Sequence, residues 1–283
     1  MEWIDRLNEA INYMEEHLTE EIDYEQVSKI ACCSSYHFQR MFAYLANVPL
    51  SEYIRRRRMT LAVADLQRAE EKIIDIALKY GYASPTAFNR AFQSVHGIAP
   101  SLVKQDGVSL KSFPPISFKI TVKGVEEMNF RIEKRDAFHI VGVAEPLFKE
   151  CEKNFEIVPR MWEKASSDGT IQKLVAMISG QPAGLLGVCA CSDAEEWRYF
   201  IAVASTQETG GTFEQYIVPA RTWAIFPGEG ECPRTIQELE QRIMSEWLPN
   251  SGYEYDNGPD VEVYLTPDPQ NAKFEVWVPI KKK

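Results

Sequence analysis

Apolar residues recur through the first hundred positions at the three-and-four spacing of amphipathic helices. Ile4, Leu7, Ile11, Met14 and Leu18 make one stripe over residues 3–18, and its opposite face is acidic. Val27, Ile30 and Ala31 line a short helix from Asp23 to Ala31, with Asp23 and Gln26 at capping-box spacing. Phe38, Met41 and Phe42 repeat the stripe after Ser34, whose hydroxyl can accept a free N–H of the first turn. This pattern puts Tyr36, Gln39 and Arg40 on the opposite, wet face. Ser51 to Leu66 reads as a long connecting helix with four successive arginines, Arg55 to Arg58. Ile73 to Tyr80 forms another short helix ending at Gly81, a natural left-handed C-cap. Pro114-Pro115 then stops any helix, and alternation replaces the helical period.

The helical part repeats itself. Ser34, Phe38, Arg40 and Phe42 correspond to Ser84, Phe88, Arg90 and Phe92, and Pro85 takes the first helical position, where its missing N–H costs nothing. A short helix, a tight turn and a second polar-faced helix make a helix-turn-helix candidate. Two amphipathic helices packed in a bundle would show the same stripe. Repetition favours the first reading, because each unit must solve the same packing problem. The polar faces carry side chains suited to base edges, since Gln pairs with adenine and Arg with guanine. The candidate base readers are Tyr36, Gln39 and Arg40 in the first unit and Thr86, Asn89 and Arg90 in the second. Four successive arginines span more than one helical turn, so one or two, Arg55 first, are expected on phosphates and the others on acids such as Glu52.

The phrases SSYHFQRMF, SEYIRRRRMTLAVADL and IALKYGYASPTAFNRAF resemble the DNA-binding domain of the AraC/XylS family of bacterial transcription regulators, most closely the Mar/Sox/Rob type. The resemblance implies seven helices, two helix-turn-helix units joined by a rigid helix, double-stranded DNA as partner and RNA polymerase as a further one. Arg40 and Arg90 are then expected to read successive major-groove faces about one turn apart. Cys32 stands where the family usually has glycine, and a side chain at positive φ is disfavoured there.

Charge changes the picture only when it is divided along the chain. The whole carries −10, which argues against a nucleic-acid partner. Residues 36–111, however, hold 11 basic and 6 acidic side chains, against 2 and 9 in residues 1–35 and 18 and 26 in residues 112–283. Local basic surface, not total charge, governs phosphate contact.

The second half also repeats. Strand Phe138–Val143, helix Ile157–Lys164 and strands Leu185–Cys191 and Trp197–Ala204 are followed by strand Thr222–Phe226, a helix Ile236–Leu248 with a capping box at Thr235 and Glu238, and strands Val261–Leu265 and Phe274–Val278. Two strand-helix-strand-strand units predict an antiparallel sheet with helices on one face and a groove on the other, free face. Trp223, Tyr199, Trp277 and Tyr255 fall on or beside these strands, and alternation lets only about half of such residues face a groove. Glu262 shares a strand face with Tyr264 and matches Gly187 in the first repeat. A carboxylate among aromatics suits a lipophilic cation; a solvated strand glutamate is the plain alternative.

The stretches IVPARTWAIFPGEG, EWLPNSGYEYDNGPDVEVYLTP and FEVWVPI resemble the GyrI-like effector-binding domains of multidrug-responsive regulators. In multidrug-binding members a Glu of an E-x-Y strand motif faces the cation, and Glu262 and Tyr264 match it. The expected organisation is therefore multidomain: an all-α DNA-binding domain over 1–108, a linker over 109–124 and an α+β effector-binding domain over 125–283. The expected function is a cytoplasmic, non-enzymatic transcription regulator that senses a small, bulky apolar or cationic molecule. The alternatives are a GyrI-like hydrolase and a non-catalytic protein-binding module. No nucleophile elbow, phosphate loop or metal-ligand spacing is present, so no cofactor is expected. No apolar run is long enough for a membrane span and no signal peptide opens the chain. The six cysteines read as reduced, small apolar residues.

Overall fold

The computed structural model describes residues 3–68, 72–119, 127–149, 151–191, 196–207, 210–266 and 268–283. The last part of the expected linker, 120–124, lies outside the described residues. The chain forms an N-terminal helical region and a C-terminal antiparallel sheet with helices. The helical region contains α1 (Trp3–Glu16), α2 (Tyr24–Ile30), α3 (Ser35–Ala46), α4 (Leu50–Arg68), α5 (Ile73–Lys79) and α6 (Pro85–His96). Packing divides the chain into two bodies: Met1–Cys32 with Ala46–Ile120, and Cys33–Leu45 with Thr121–Lys283. The division falls inside the first helix-turn-helix unit, so α3 belongs with the sheet.

In the first body, local signals act where the sequence places them. Asp23 caps α2 by accepting from the N–H groups of Glu25 and Gln26, Ser84 caps α6 through Ala87 N–H, and Gly81 is left-handed at φ +79°. Cys32 also adopts a left-handed conformation, φ +56°, so the turn before α3 keeps its shape without a glycine. Met59, Ala62 and Leu66 of α4, Ile76 and Ala77 of α5, and Phe88 and Phe92 of α6 form one buried cluster. Extended residues 108–119 run along this body. Phe113 N–H donates to Thr60 Oγ1 at 3.1 Å, and Phe118 exchanges two hydrogen bonds with the Asn8 amide at 2.8 and 3.0 Å.

The arginine run is largely engaged within the first body. Arg55 and Arg56 both pair with Glu52. Arg57 is buried on Glu15, 2.7 Å away. Arg58 donates to the carbonyls of Leu18 and Glu20 at 2.8 and 2.6 Å.

The second body contains β1 (Arg131–Arg135), β2 (Phe138–Pro146), α7 (Cys151–Ser167), α8 (Thr170–Ala176), β3 (Leu185–Ala190), β4 (Arg198–Ala204), β5 (Glu214–Val218), β6 (Arg221–Gly230), α9 (Arg234–Arg242), β7 (Tyr253–Tyr255), β8 (Asp260–Tyr264) and β9 (Ala272–Lys282). The sheet order is β1-β6-β9-β8-β3-β4-β2-β5, with β7 beside β9. The inner order is palindromic by repeat: β6, β9 and β8 mirror β2, β4 and β3, so a pseudo-twofold axis passes between β8 and β3. Alternation sorts the side chains. Tyr199, Ile201 and Val203 meet Met161 and Ala165 of α7, while Phe226, Phe274 and Val276 meet Ile236 and the turn that continues α9. Leu186, Val188, Phe200, Trp223, Val261 and Trp277 lie on the other face.

Two expectations are corrected here. The face opposite the helices is not a free groove: the sheet curls until Phe138 of β2 meets Trp277 of β9, ring centres 6.4 Å apart, and its residues form a closed core. Curling follows from the twist that strands carry. The capping box at Thr235 and Glu238 does not form. The helix begins two residues earlier, at Arg234, and Thr235 Oγ donates to the Glu231 carbonyl at 2.9 Å. After Arg242 the helix widens into a π turn, Ile243–Trp247.

Candidate functional site

The floor of the site lies between α7 and α9, where β3 and β8 pair across the pseudo-twofold axis. Glu262 of β8 points to the helix-bearing face, directly opposite Gly187 of β3. A Cβ at Gly187 would lie 2.4 Å from Tyr199 Oη and 2.8 Å from Glu262 Oε2, so any side chain here would make those two groups shift. Tyr264 donates to Glu262 Oε2 at 2.9 Å. Trp162 of α7 meets Tyr264 edge-on at 5.0 Å and donates its N–H to Tyr199 Oη at 2.9 Å. Asp260 opens β8 on the same face, and its Oδ1 lies 3.1 Å from Tyr255 Oη. Glu240 enters from α9 and is buried.

Helix α3 lies over this floor. Ser34 Oγ accepts from His37 N–H at 3.2 Å, and Ser34 N–H donates to Asn257 Oδ1 at 2.9 Å. Tyr36 Oη lies 3.1 Å from Cys189 Sγ, and its ring meets Trp197 edge-on. Gln39 donates to the Lys149 carbonyl at 2.9 Å. Arg40 reaches the acids: it pairs with Glu240, lies 3.2 Å from Asp260 Oδ2 and 4.0 Å from Glu262 Oε1, and donates to Tyr44 Oη at 3.1 Å. Tyr44 in turn donates to Glu240 Oε2 at 2.5 Å.

The expected wet face of α3 is therefore not wet. Tyr36 and Gln39 are 8% and 6% exposed, and the Arg40 side chain 14%. A polar helix face can be buried when its groups find partners, and helical periodicity cannot tell such a face from a solvated one.

Burial sets the electrostatics. It pushes the Glu262 carboxyl up to about 7; the neighbouring Glu240 adds to the rise and Arg40 opposes it. Burial likewise raises Asp260 to about 6, against the pull of Arg40. Burial is the largest influence and works against the Arg40 charge, but its partners together, Glu240 first and then Tyr44, Tyr36 and Cys189, outweigh it, so the guanidinium stays charged. His37 is buried in a stack on Tyr255 at 3.5 Å, which, with Arg40 nearby, lowers its pKa to about 3 and keeps it neutral. Its Nε2 is buried without a hydrogen-bond partner among the described residues. Burial pushes the Cys189 thiol up to about 12, which makes it a poor nucleophile. Three carboxylates, Glu240, Asp260 and Glu262, thus surround one guanidinium, with the Tyr44 ring beside it. Among the described residues, no group of His, Cys, Asp or Glu has the arrangement to hold a metal ion.

The structure brings Glu262, Tyr264 and Tyr199 together, with Tyr255 linked to them through Asp260. Trp223 and Trp277 lie in the core of the opposite sheet face, 5.8 Å apart. In the first body, Thr86 and Arg90 are exposed on α6, Asn89 is half-buried, and Arg55 is paired with Glu52. Sequence reasoning missed Glu240, Asp260, Trp162, His37 and Tyr44. Asp260 was within reach, since it shares strand parity with Glu262. Glu240 was within reach too, since the helical period puts it, and not Glu238, on the stripe of Ile236, Ile243 and Met244.

Residues 131–280 match the family model described as integron-associated effector binding protein, and residues 27–106 match a helix-turn-helix domain model. The HTH-type transcriptional activator AarP of Providencia stuartii is 36% identical over 98 residues, which are 35% of this chain and 73% of that protein. The regulatory protein SoxS of Salmonella typhimurium is 36% identical over 91 residues, 32% of this chain and 85% of that protein. The chain belongs to the AraC/XylS family of transcription regulators and carries an effector-binding domain of the integron-associated, GyrI-like type. These two relatives of the AraC/XylS-family regulator each match about a third of its length. Among solved structures, the chain is similar to SAV2435, whose structure is bound to tetraphenylphosphonium. The two share 19% identity and a TM-score of 0.48 over 54% of this chain and 94% of that one.

Proposed function

We propose that this DNA-binding transcription regulator senses a bulky organic cation in the groove formed by Glu262, Asp260, Glu240 and the rings of Tyr264, Tyr199 and Trp162. The observation that carries the reading is the guanidinium of Arg40, which the groove already holds among carboxylates and beside the Tyr44 ring. A positive charge in a largely dehydrated site gains more from a carboxylate than it would in water. Thr86, Asn89 and Arg90 on α6 are the proposed base readers of the second helix-turn-helix unit, and Tyr36, Gln39 and Arg40 those of the first. Arg55 is the proposed phosphate contact. RNA polymerase is the expected protein partner, and a chromosomal DNA target implies a cytoplasmic protein. No described helix is long and apolar enough to cross a membrane. The relatives are regulators, which supports a non-enzymatic role.

Calorimetry with a matched pair of ligands tests the reading: tetraphenylphosphonium, which is charged, and triphenylphosphine oxide, which is neutral. Glu262→Gln keeps the shape and removes the charge. It should weaken the cation by roughly 1–3 kcal/mol, the range for a charge-assisted contact, and leave the neutral ligand nearly unchanged. Equal losses for both ligands, or none for either, would refute the cation site.

A further inference from the structure

We infer that Arg40 is a built-in occupant of the cation groove, so that an incoming organic cation must displace it and thereby frees α3. The inference rests on reading the groove as a cation site, and it adds the regulation of that site.

Space is the first argument. With Arg40 in place, the cavity left between α3, α9 and the sheet, lined by His37, Arg40, Tyr44, Glu240 and Asp260, measures about 10 Å³. That is about the room one water molecule needs. This cavity borders the groove at Glu240 and Asp260, so a bulky cation has no room at that end while α3 is seated.

Charge is the second argument. Arg40 offers the groove what a ligand would offer, a delocalised positive charge against Glu240, Asp260 and Glu262. A cation that takes these carboxylates leaves Arg40 buried without its counter-charges, which is costly, so the helix must follow its arginine out.

The third argument is that α3 does not sit in an ideal seat. His37 Nε2, on the same helix and lining the same cavity, is buried with no protein partner among the described residues. The best partner the seat can offer it is the single water that this cavity has room for, whereas release gives it bulk water. The contact is thus stable enough to form and carries a term that favours leaving. Seated, α3 turns Tyr36, Gln39 and Arg40 into the groove, away from any DNA.

Two measurements on the full chain test this. In calorimetry with tetraphenylphosphonium, Arg40→Ala removes the internal competitor, and the chain should bind about tenfold or more tighter than wild type, because the competent state is no longer rare. In hydrogen exchange on the wild-type chain, saturating tetraphenylphosphonium should speed exchange of the amides of 35–46. This second arm does not depend on the variant folding. Equal or weaker binding by a folded Arg40→Ala, or unchanged or slower exchange in α3, overturns the inference and leaves the cation site standing. No binding by either chain removes the cation site and this inference with it.

Discussion

Glu262 and Gly187 are cross-strand partners on the pseudo-twofold axis, and the carboxylate occupies the space that the glycine leaves empty. The two repeats have thus divided one symmetric position between a charge and a gap. Gly187→Ala should force Tyr199 and Glu262 apart. The expected cost is about 1–3 kcal/mol of stability, as for other overpacked cores, together with weaker binding of tetraphenylphosphonium. Urea unfolding and calorimetry on the same variant read both.

Protonation should tune the groove. The Glu262 carboxyl titrates near 7 and Asp260 near 6, both raised by burial. The groups facing them are Arg40, Glu240, Tyr199, Tyr255, Tyr264 and Cys189. Cation binding favours the ionised carboxylates, so affinity for tetraphenylphosphonium should rise from pH 5 to pH 8 and then level off. The effect on stability has the opposite sign. Between the ordinary glutamate value and about 7, the folded chain binds more protons at Glu262 than the unfolded chain, so this residue's contribution falls as pH rises. Glu262→Gln should therefore gain on wild type in urea midpoint from pH 5 to pH 8. A difference independent of pH would contradict the assignment.

The two recognition helices should respond differently to the effector. Arg90 is exposed on α6, so Arg90→Ala should cost about 1–3 kcal/mol of operator affinity with or without the cation, and relax base preference at its position. Arg40→Ala should lose comparable affinity only when tetraphenylphosphonium is present. Mobility shifts on an operator fragment selected in vitro, with both variants and both conditions, separate these outcomes.

Within the arginine run, neighbouring substitutions should differ sharply. Arg57 is 7% exposed and holds Glu15 and the Phe113 carbonyl. Arg57→Ala leaves the mostly buried Glu15 carboxylate with the Tyr53 hydroxyl but no counter-charge and should cost about 3 kcal/mol. Arg55 is 44% exposed, and Arg55→Ala should cost at most about 1 kcal/mol. Scanning calorimetry of the full chain can follow the first body's transition in each variant.

Much of this was legible in the residues. Paired stripes at Phe38/Phe42 and Phe88/Phe92, with Ser34 and Ser84 before them, mark both helix-turn-helix units. The second-half alternation gives the repeat, and strand parity puts Glu262 beside Tyr264. The edge strands β1 and β5 escaped notice, because Arg131–Arg135 is mostly charged and Glu214–Val218 is too short to show a period. The groove was assigned to the wrong sheet face because alternation states which residues share a side, not which side is later closed by curling. The seat of α3 was not legible at all. Arg40 looks like any solvated arginine until three acids from distant positions, Glu240, Asp260 and Glu262, are seen around it.

The way the arginine run is held has a consequence for ionic strength. Arg57 and Arg58 are tied to Glu15 and to backbone carbonyls, and Arg55 and Arg56 share Glu52. A block that looks like four free positive charges therefore brings few of them to DNA. Each phosphate neutralised releases about 0.9 of a condensed counterion from B-form DNA. With few phosphates neutralised, operator affinity should fall only gently as salt rises, and the regulator should keep its hold on DNA in conditions that strip a more basic domain away.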